Sequence, residues 1–330
     1  IGGQEENLEA ILSALRITLS GSEIAKRYRL PDGHNVLMVG PPGCGKTSMA
    51  RVCAAELSRL TGQKCKFAVI KPASWESPWV GMTQQNINQC FDALREASKT
   101  HKCCLFLDEI DCVGRIRGAM ANEHSDKFLN AFLTALDGFE DRSNVAIITA
   151  TNREDLIDPA LKDRLSDRIV YVERPDMRGA REIFNVHLQP DIPYQAGPEG
   201  GTTARETIIQ SAVARLYGQN GGNELCVLRF RDNTTRVVAA RDLMSGRLIE
   251  QICRMARMAA GLREMRTGEC GVRVEDMHVA VSHAIERLRS TLTVRNVHAH
   301  LTELPEDMDV IAIAPIARKV THTGHFLNVA

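Results

Sequence analysis

Short apolar runs alternate with amphipathic stretches through the first two-thirds of the chain. Asn35–Gly40, Phe67–Ile70, Cys103–Leu107, Val145–Thr149 and Ile169–Val172 are apolar runs of strand length. Between them, Thr47–Leu60 and Asn86–Ser98 space their apolar residues as helices do. Strands of this kind alternating with helices predict a parallel sheet covered on both faces. After Arg174-Pro175-Asp176 the pattern changes. Arg178–Leu188, Thr207–Tyr217, Gly246–Glu264 and Val274–Leu288 predict helices. Leu225–Phe230 and Arg236–Ala239 flank Asp232-Asn233-Thr234-Thr235 and predict a β-hairpin. Gln189–Thr203, rich in Pro and Gly, predicts a loop, and Val310–Ala314 a last strand. The expected organisation is a large α/β domain over 1–175, a smaller helical domain carrying the hairpin over 176–290, and a C-terminal strand and tail over 291–330.

One segment changes this picture from fold to chemistry. Gly40-Pro-Pro-Gly-Cys-Gly-Lys-Thr47 follows a strand and opens a helix, the context of a phosphate-binding P-loop. Such glycines let successive N–H groups point at phosphate oxygens, and the helix N-terminus favours the anion. Lys46 would bring a point charge to the β- and γ-phosphates, and Thr47 a hydroxyl to Mg²⁺. Pro42, Gly43, Cys44, Gly45 and Ser48 complete the expected nucleotide loop. Cys103–Leu107 then delivers Asp108 and Glu109 at its C-terminal end, expected beside the P-loop strand, where ligands bind in such sheets. Asp108 would hold the magnesium shell through water, and Glu109 would activate the attacking water. Asp111 follows closely and reads equally well as a helix cap or surface carboxylate. Asn152, just past the fourth strand, is placed to position that water or touch the γ-phosphate.

Charge and composition narrow the partners. The chain has 330 residues with 41 basic and 41 acidic side chains, so its balance gives no argument for nucleic acid or a membrane surface. No apolar run reaches the length of a membrane span and no signal peptide is visible. A start at Ile1 rather than Met suggests a piece of something longer. None of the ten cysteines forms a C-x-x-C pair, which argues against a zinc or redox site and for a reducing cytoplasm. Cys103 and Cys104 read as small buried hydrophobes, and His298, His300, His322 and His325 as part of a solvated tail.

Together these residues resemble the AAA+ ATPases, over essentially the whole chain. Ile1-Gly2-Gly3 is similar to that family's adenine-side start, and Asn152-Arg-Glu-Asp-Leu-Ile-Asp-Pro-Ala160 to its sensor-1 region. Within the class, Glu173-Arg-Pro-Asp176, the hairpin, Asp242-Leu-Met-Ser-Gly246 and the last strand resemble the bacterial ARC/Mpa ATPases, ring-shaped unfoldases that feed a proteasome. The resemblance implies the P-loop AAA+ fold, ATP and Mg²⁺, a homo-hexamer, protein substrates and a 20S-type proteasome core as partner. It also implies an arginine finger supplied by a neighbour, with Arg164 of Leu161-Lys-Asp-Arg164 the first candidate and Arg168 the second. Ser245-Gly246-Arg247 and the shortened finger stretch resemble the pachytene-checkpoint remodellers, in which that arginine acts as a sensor 2 on phosphate. Ser77-Pro-Trp-Val-Gly81 matches the pore loop, with Trp79, Val80 and Gly81 as its grip, and Arg115-Ile-Arg-Gly118 would supply Arg117 to a second pore loop. The other fate of Trp79 is a core indole.

The expected function is therefore an ATP-driven protein unfoldase and translocase. The alternative is a non-degradative remodeller acting on a specific partner. Arg247 points to it, as does an end, Phe326-Leu-Asn-Val-Ala330, that differs from the Gly-Gln-Tyr-Leu with which that family docks.

Overall fold

The computed structural model describes residues 2–19, 27–29, 34–79, 81–113, 123–138, 144–195, 201–219, 222–301, 304 and 308–316. By contact the chain divides into two units, Ile1–Ile183 with Ser245–Arg247, and Phe184–Met244 with Leu248–Ala330.

The first unit is built on five parallel strands, β1 (His34–Val39), β2 (Lys66–Ile70), β3 (Cys103–Leu107), β4 (Val145–Thr151) and β5 (Arg168–Tyr171). Their order is β2-β3-β4-β1-β5. β3 is therefore not beside the P-loop strand, as the sequence suggested, because β4 lies between them. The chemistry still meets, because α2 (Lys46–Thr61) leaves β1 and crosses β4 to pack on β3.

Alternation along the strands fills both faces. Val36, Met38, Cys104, Phe106, Ala146 and Ile148 face one way, against α1 (Glu5–Leu19) and α2. Leu37, Cys103, Leu105, Leu107, Val145 and Ile147 face the other. There they meet α3 (Met82–Ser98), α4 (Glu123–Asp137) and α5 (Pro159–Leu165). Cys103 and Cys104 thus sit in opposite halves of the core, and burial raises both thiols above the ordinary range. Phe132 on α4 is fully buried, with Trp75 at 5.8 Å and Phe91 at 5.9 Å between ring centroids. This cluster anchors the 3₁₀ turn Pro72–Trp75 that leads out of β2. α5 begins with Asp158 accepting from Ala160 N at 2.9 Å and Pro159 in its first turn, an ordinary start for a helix.

α6 (Met177–His187) runs across the division between the units. The second unit holds α7 (Gly201–Tyr217), most of α8 (Gly246–Thr267), α9 (Val274–Thr291) and a small antiparallel sheet. α7 starts at Gly201, inside the stretch read as a loop. The expected hairpin is β6 (Glu224–Phe230) and β7 (Thr235–Ala239), and β8 (Val310–Pro315) joins it to give the order β7-β6-β8. The last strand is thus part of this sheet rather than of a separate tail. The histidine-bearing stretch is not wholly solvated either, since Val297 and Leu301 around α10 (Val297–His300) are buried. His322 and His325 lie outside the described residues.

Candidate active site

The P-loop connects Val39 to Lys46. Gly43 and Gly45 have φ of 77° and 93°, a region that L side chains rarely adopt and glycine enters freely. Pro42 and Ser48 are exposed, whereas Cys44 is buried with its thiol raised above the ordinary range by that burial. Lys46 is 7% exposed. Its ammonium donates to Gly40 O at 2.6 Å, Pro41 O at 3.0 Å and Asn152 Oδ1 at 2.8 Å. Burial lowers its pKa, and the Cys44, Asp108 and Asp111 groups pull it part of the way back.

The end of β3 meets this loop from the far side of β4. Thr47 Oγ1 donates to Asp108 Oδ2 at 3.4 Å, and Glu109 N donates to Asp108 Oδ1 at 3.1 Å. Glu109 itself has φ 59°, an uncommon conformation for a residue with a Cβ. Such strain costs on the order of 1–3 kcal/mol and gathers at functional sites. Its Oε1 lies 3.1 Å from Lys71 Nζ. A hydroxyl and a carboxylate converging at the N-terminus of α2 are oxygen donors of the kind magnesium takes, so Thr47 and Asp108 fit a Mg²⁺ site.

Gly246 and Arg247 meet the P-loop, whereas the contacts of Gly2 and Gly3 are with α6 and the residue before it. Arg247 N donates to Gly43 O at 3.1 Å, which sets Gly246 and Arg247 against the P-loop, with the Arg247 side chain exposed. Gly2 and Gly3 pack on α6: Gly3 N donates to Glu182 Oε2 at 2.9 Å, and a Cβ on Gly2 would stand 2.8 Å from Gly179 O. Gln4 Nε2 donates to Glu173 O at 3.0 Å. Ile1 lies outside the described residues.

Arg164 and Arg168 are not brought to the P-loop of their own chain. Asn35, at the start of β1, donates to Arg164 O at 2.9 Å, which places Arg164 a strand length from Gly40. Its guanidinium forks onto Asp137, Nε to Oδ1 at 2.8 Å and Nη2 to Oδ2 at 3.1 Å. Arg168 is exposed at the first residue of β5.

Trp79 stands 75% exposed beyond β2, whereas Trp75 is 5% exposed, so the core indole is Trp75. Gly81 caps α3 in the left-handed region. A cleft beside Trp79 is lined by Glu76, Pro78, Lys127, Phe128 and Thr134. Val80 and Arg117 lie outside the described residues.

Sequence reasoning missed one neighbour of the site and left another undecided. Lys71 gave no signal beyond following a strand. Asp111 was left undecided, and the structure joins it to Thr151, whose hydroxyl donates to Asp111 Oδ1 at 2.9 Å.

A P-loop after β1, two acidic residues just past β3 and an asparagine just past β4, the strand between them, define a nucleotide site on a parallel sheet. Residues 36–174 match the ATPase family associated with various cellular activities (AAA), and residues 175–294 match the ARC, AAA+ ATPase lid domain. The chain belongs to the AAA ATPase family and carries an ARC-type lid. It is similar to the proteasome-associated ATPase of Acidimicrobium ferrooxidans, 33% identical over 297 residues that cover 86% of this chain and 51% of that protein. A proteasome-associated ATPase of Saccharomonospora viridis is 33% identical over 296 residues, covering 85% and 49%. An AAA ATPase forming ring-shaped complexes, from Corynebacterium diphtheriae, is 34% identical over 299 residues, covering 88% and 57%. The chain spans about half the length of the curated relatives it matches. Among the described residues no helix is long and apolar enough to cross a membrane, and no group of His, Cys, Asp and Glu could hold a metal by itself.

Proposed function

We propose that this chain hydrolyses ATP and uses the cycle to unfold protein substrates and draw them through the central pore of a homo-hexameric ring. The carrying observation is that the Lys46–Asn152 site and the segment bearing the exposed Trp79 follow the C-terminal ends of strands β1, β4 and β2 of one parallel sheet. Relatives named as proteasome-associated and ring-forming support the assembly and a 20S-type core as the recipient of the unfolded chain. Free thiols, most of them buried, suit a reducing cytoplasm.

In this reading the P-loop amides and Lys46 hold the phosphates. Thr47, directly, and Asp108, through water, would hold Mg²⁺, which when bound neutralises charge on the β- and γ-phosphate oxygens. The Glu109 carboxylate accepts the proton of a water whose oxygen bonds to the γ-phosphorus, while the bond to the bridging β,γ-oxygen breaks and ADP leaves. Asn152 orients that water or the γ-phosphate. Arg164 of one subunit, with Arg168 as second candidate, stabilises charge at a neighbour's site, an effect of roughly a thousandfold or more. Arg247 senses phosphate from within the subunit. The indole of Trp79, flanked by Val80 and Gly81 and backed by Arg117 of a second loop, grips polypeptide by area rather than by sequence.

A non-degradative remodeller is the second reading, favoured by the place of Arg247 against Gly43. The test is ATP-dependent unfolding of a tagged fluorescent reporter. Wild type should unfold it; Trp79→Ala should keep ATP turnover and lose unfolding. Equal unfolding by both removes Trp79 from the grip. Reporter that regains fluorescence in the presence of a proteasome core favours the remodeller.

A further inference from the structure

Thr151 closes β4 at 1% exposure, and its hydroxyl has one proton to give. Two residues earlier in the same strand, the equally buried Thr149 gives its proton to a backbone carbonyl, Val36 O, at 3.1 Å. Thr151 instead gives it to a carboxylate on another segment, Asp111 Oδ1 at 2.9 Å, and accepts from Arg153 N at 2.9 Å. Its own carbonyl accepts from Gly40 N at 3.2 Å, at the start of the P-loop.

These bonds bracket one residue. Asn152 sits between Thr151 and Arg153, with the backbone on its N-terminal side bound to Gly40 and on its C-terminal side bound through Arg153 N to the Thr151 hydroxyl. The turn is fixed, and the side-chain amide of Asn152 reaches Lys46 Nζ at 2.8 Å. Asp111 stands in the 3₁₀ turn Ile110–Cys112, immediately after Glu109. One carboxylate therefore ties the segment bearing Asp108 and Glu109 to the turn bearing Asn152. A charge-assisted bond to a buried hydroxyl is stronger than a neutral one, so the tie resists slippage between the two strand ends.

Resting on the hydrolytic reading above, we infer that Asp111, acting through the Thr151 hydroxyl, is a positioning residue that holds Asn152 and Glu109 in register over Lys46. In this role it acts through Thr151 rather than on the reacting groups. Its contribution is to turnover rather than to affinity, because misplacement of a reacting group falls on the chemical step.

The test uses the whole chain, with ATP turnover, nucleotide affinity and melting temperature measured together. Thr151→Val, close in shape but without a hydroxyl, should lower kcat on the order of ten- to a hundredfold with little change in nucleotide Kd. Thr151→Ser, which keeps the hydroxyl, should recover most of the rate. Asp111→Ala should match Thr151→Val, and the double variant should be no slower than either single one. Asn152→Ala combined with Thr151→Val should likewise fall well short of the product of the two losses. A Thr151→Val variant that keeps wild-type kcat overturns the inference, as does one whose only change is a lower melting temperature. Losses that multiply in the double variants also overturn it. Wild-type chain that binds nucleotide but never turns it over overturns the hydrolytic reading and this assignment with it.

Discussion

Lys71 Nζ lies 3.1 Å from Glu109 Oε1, so the residue leaving β2 engages the carboxylate proposed to activate water past the end of β3. The pairing lifts the Lys71 ammonium above its ordinary pKa, chiefly through the hydrogen bond to Glu109. Both side chains are about half exposed, and exposed ion pairs are weak. Removing the partner should thus free Glu109 only modestly. Lys71→Ala is expected to raise basal ATP turnover by no more than about fivefold. Steady-state phosphate release checks this, and a fall to the level of a Glu109 variant would show that Lys71 itself acts on the substrate.

Lys46 carries a pH prediction. Its burial makes the ammonium easier to deprotonate than an exposed lysine, against the opposing pull of Cys44, Asp108 and Asp111. Phosphate binds the protonated form, so affinity should be full below the Lys46 pKa and fall as pH rises through it. The expected titration of nucleotide affinity has its alkaline midpoint below the ordinary lysine range of about 10.4. Isothermal titration across that range measures it. Affinity that does not fall as the pH rises through that range contradicts the role of Lys46.

The finger role proposed for Arg164 makes turnover depend on assembly. In this chain it forks onto Asp137 and sits a strand length from its own P-loop. Arg164→Ala alone should lose turnover by roughly a thousandfold. Mixed with Lys46→Ala subunits it should recover part of the rate, because some interfaces then pair an intact P-loop with an intact arginine. Mixtures no faster than the sum of their parts would move the finger to Arg168 or remove it.

The sheet was legible because β1, β3 and β4 are apolar on both faces and bounded by turn chemistry. The P-loop was legible because its residue types are needed in one order. Among the described residues four helices went unread, α1, α4, α5 and the short α10. α4 repeats Phe128, Leu129, Phe132, Leu133 and Leu136 on one face, a helical period that the sequence displays plainly. α1 carries Ile11, Leu12 and Leu15 in the same way, and α5 announces itself with Asp158-Pro159. Strand order was not legible: adjacency depends on pairing between distant segments, and β4 inserts between β1 and β3 without any local mark. Lys71 and the Asp111–Thr151 tie were hidden for the same reason, since each acts across strands that the sequence separates.

The proposed hydrolysis of ATP requires that Lys46 bind phosphate and that Glu109 act on water. The most direct measurement compares wild type, Lys46→Ala and Glu109→Gln for ATP binding and for phosphate release in the presence of Mg²⁺. Glu109→Gln should bind ATP as tightly as wild type, accumulate as a nucleotide-bound ring and release phosphate at least a hundredfold more slowly, on the scale of general-base losses. Lys46→Ala should fail at binding. Phosphate release by Glu109→Gln at the wild-type rate would rule out Glu109 as the group that activates water.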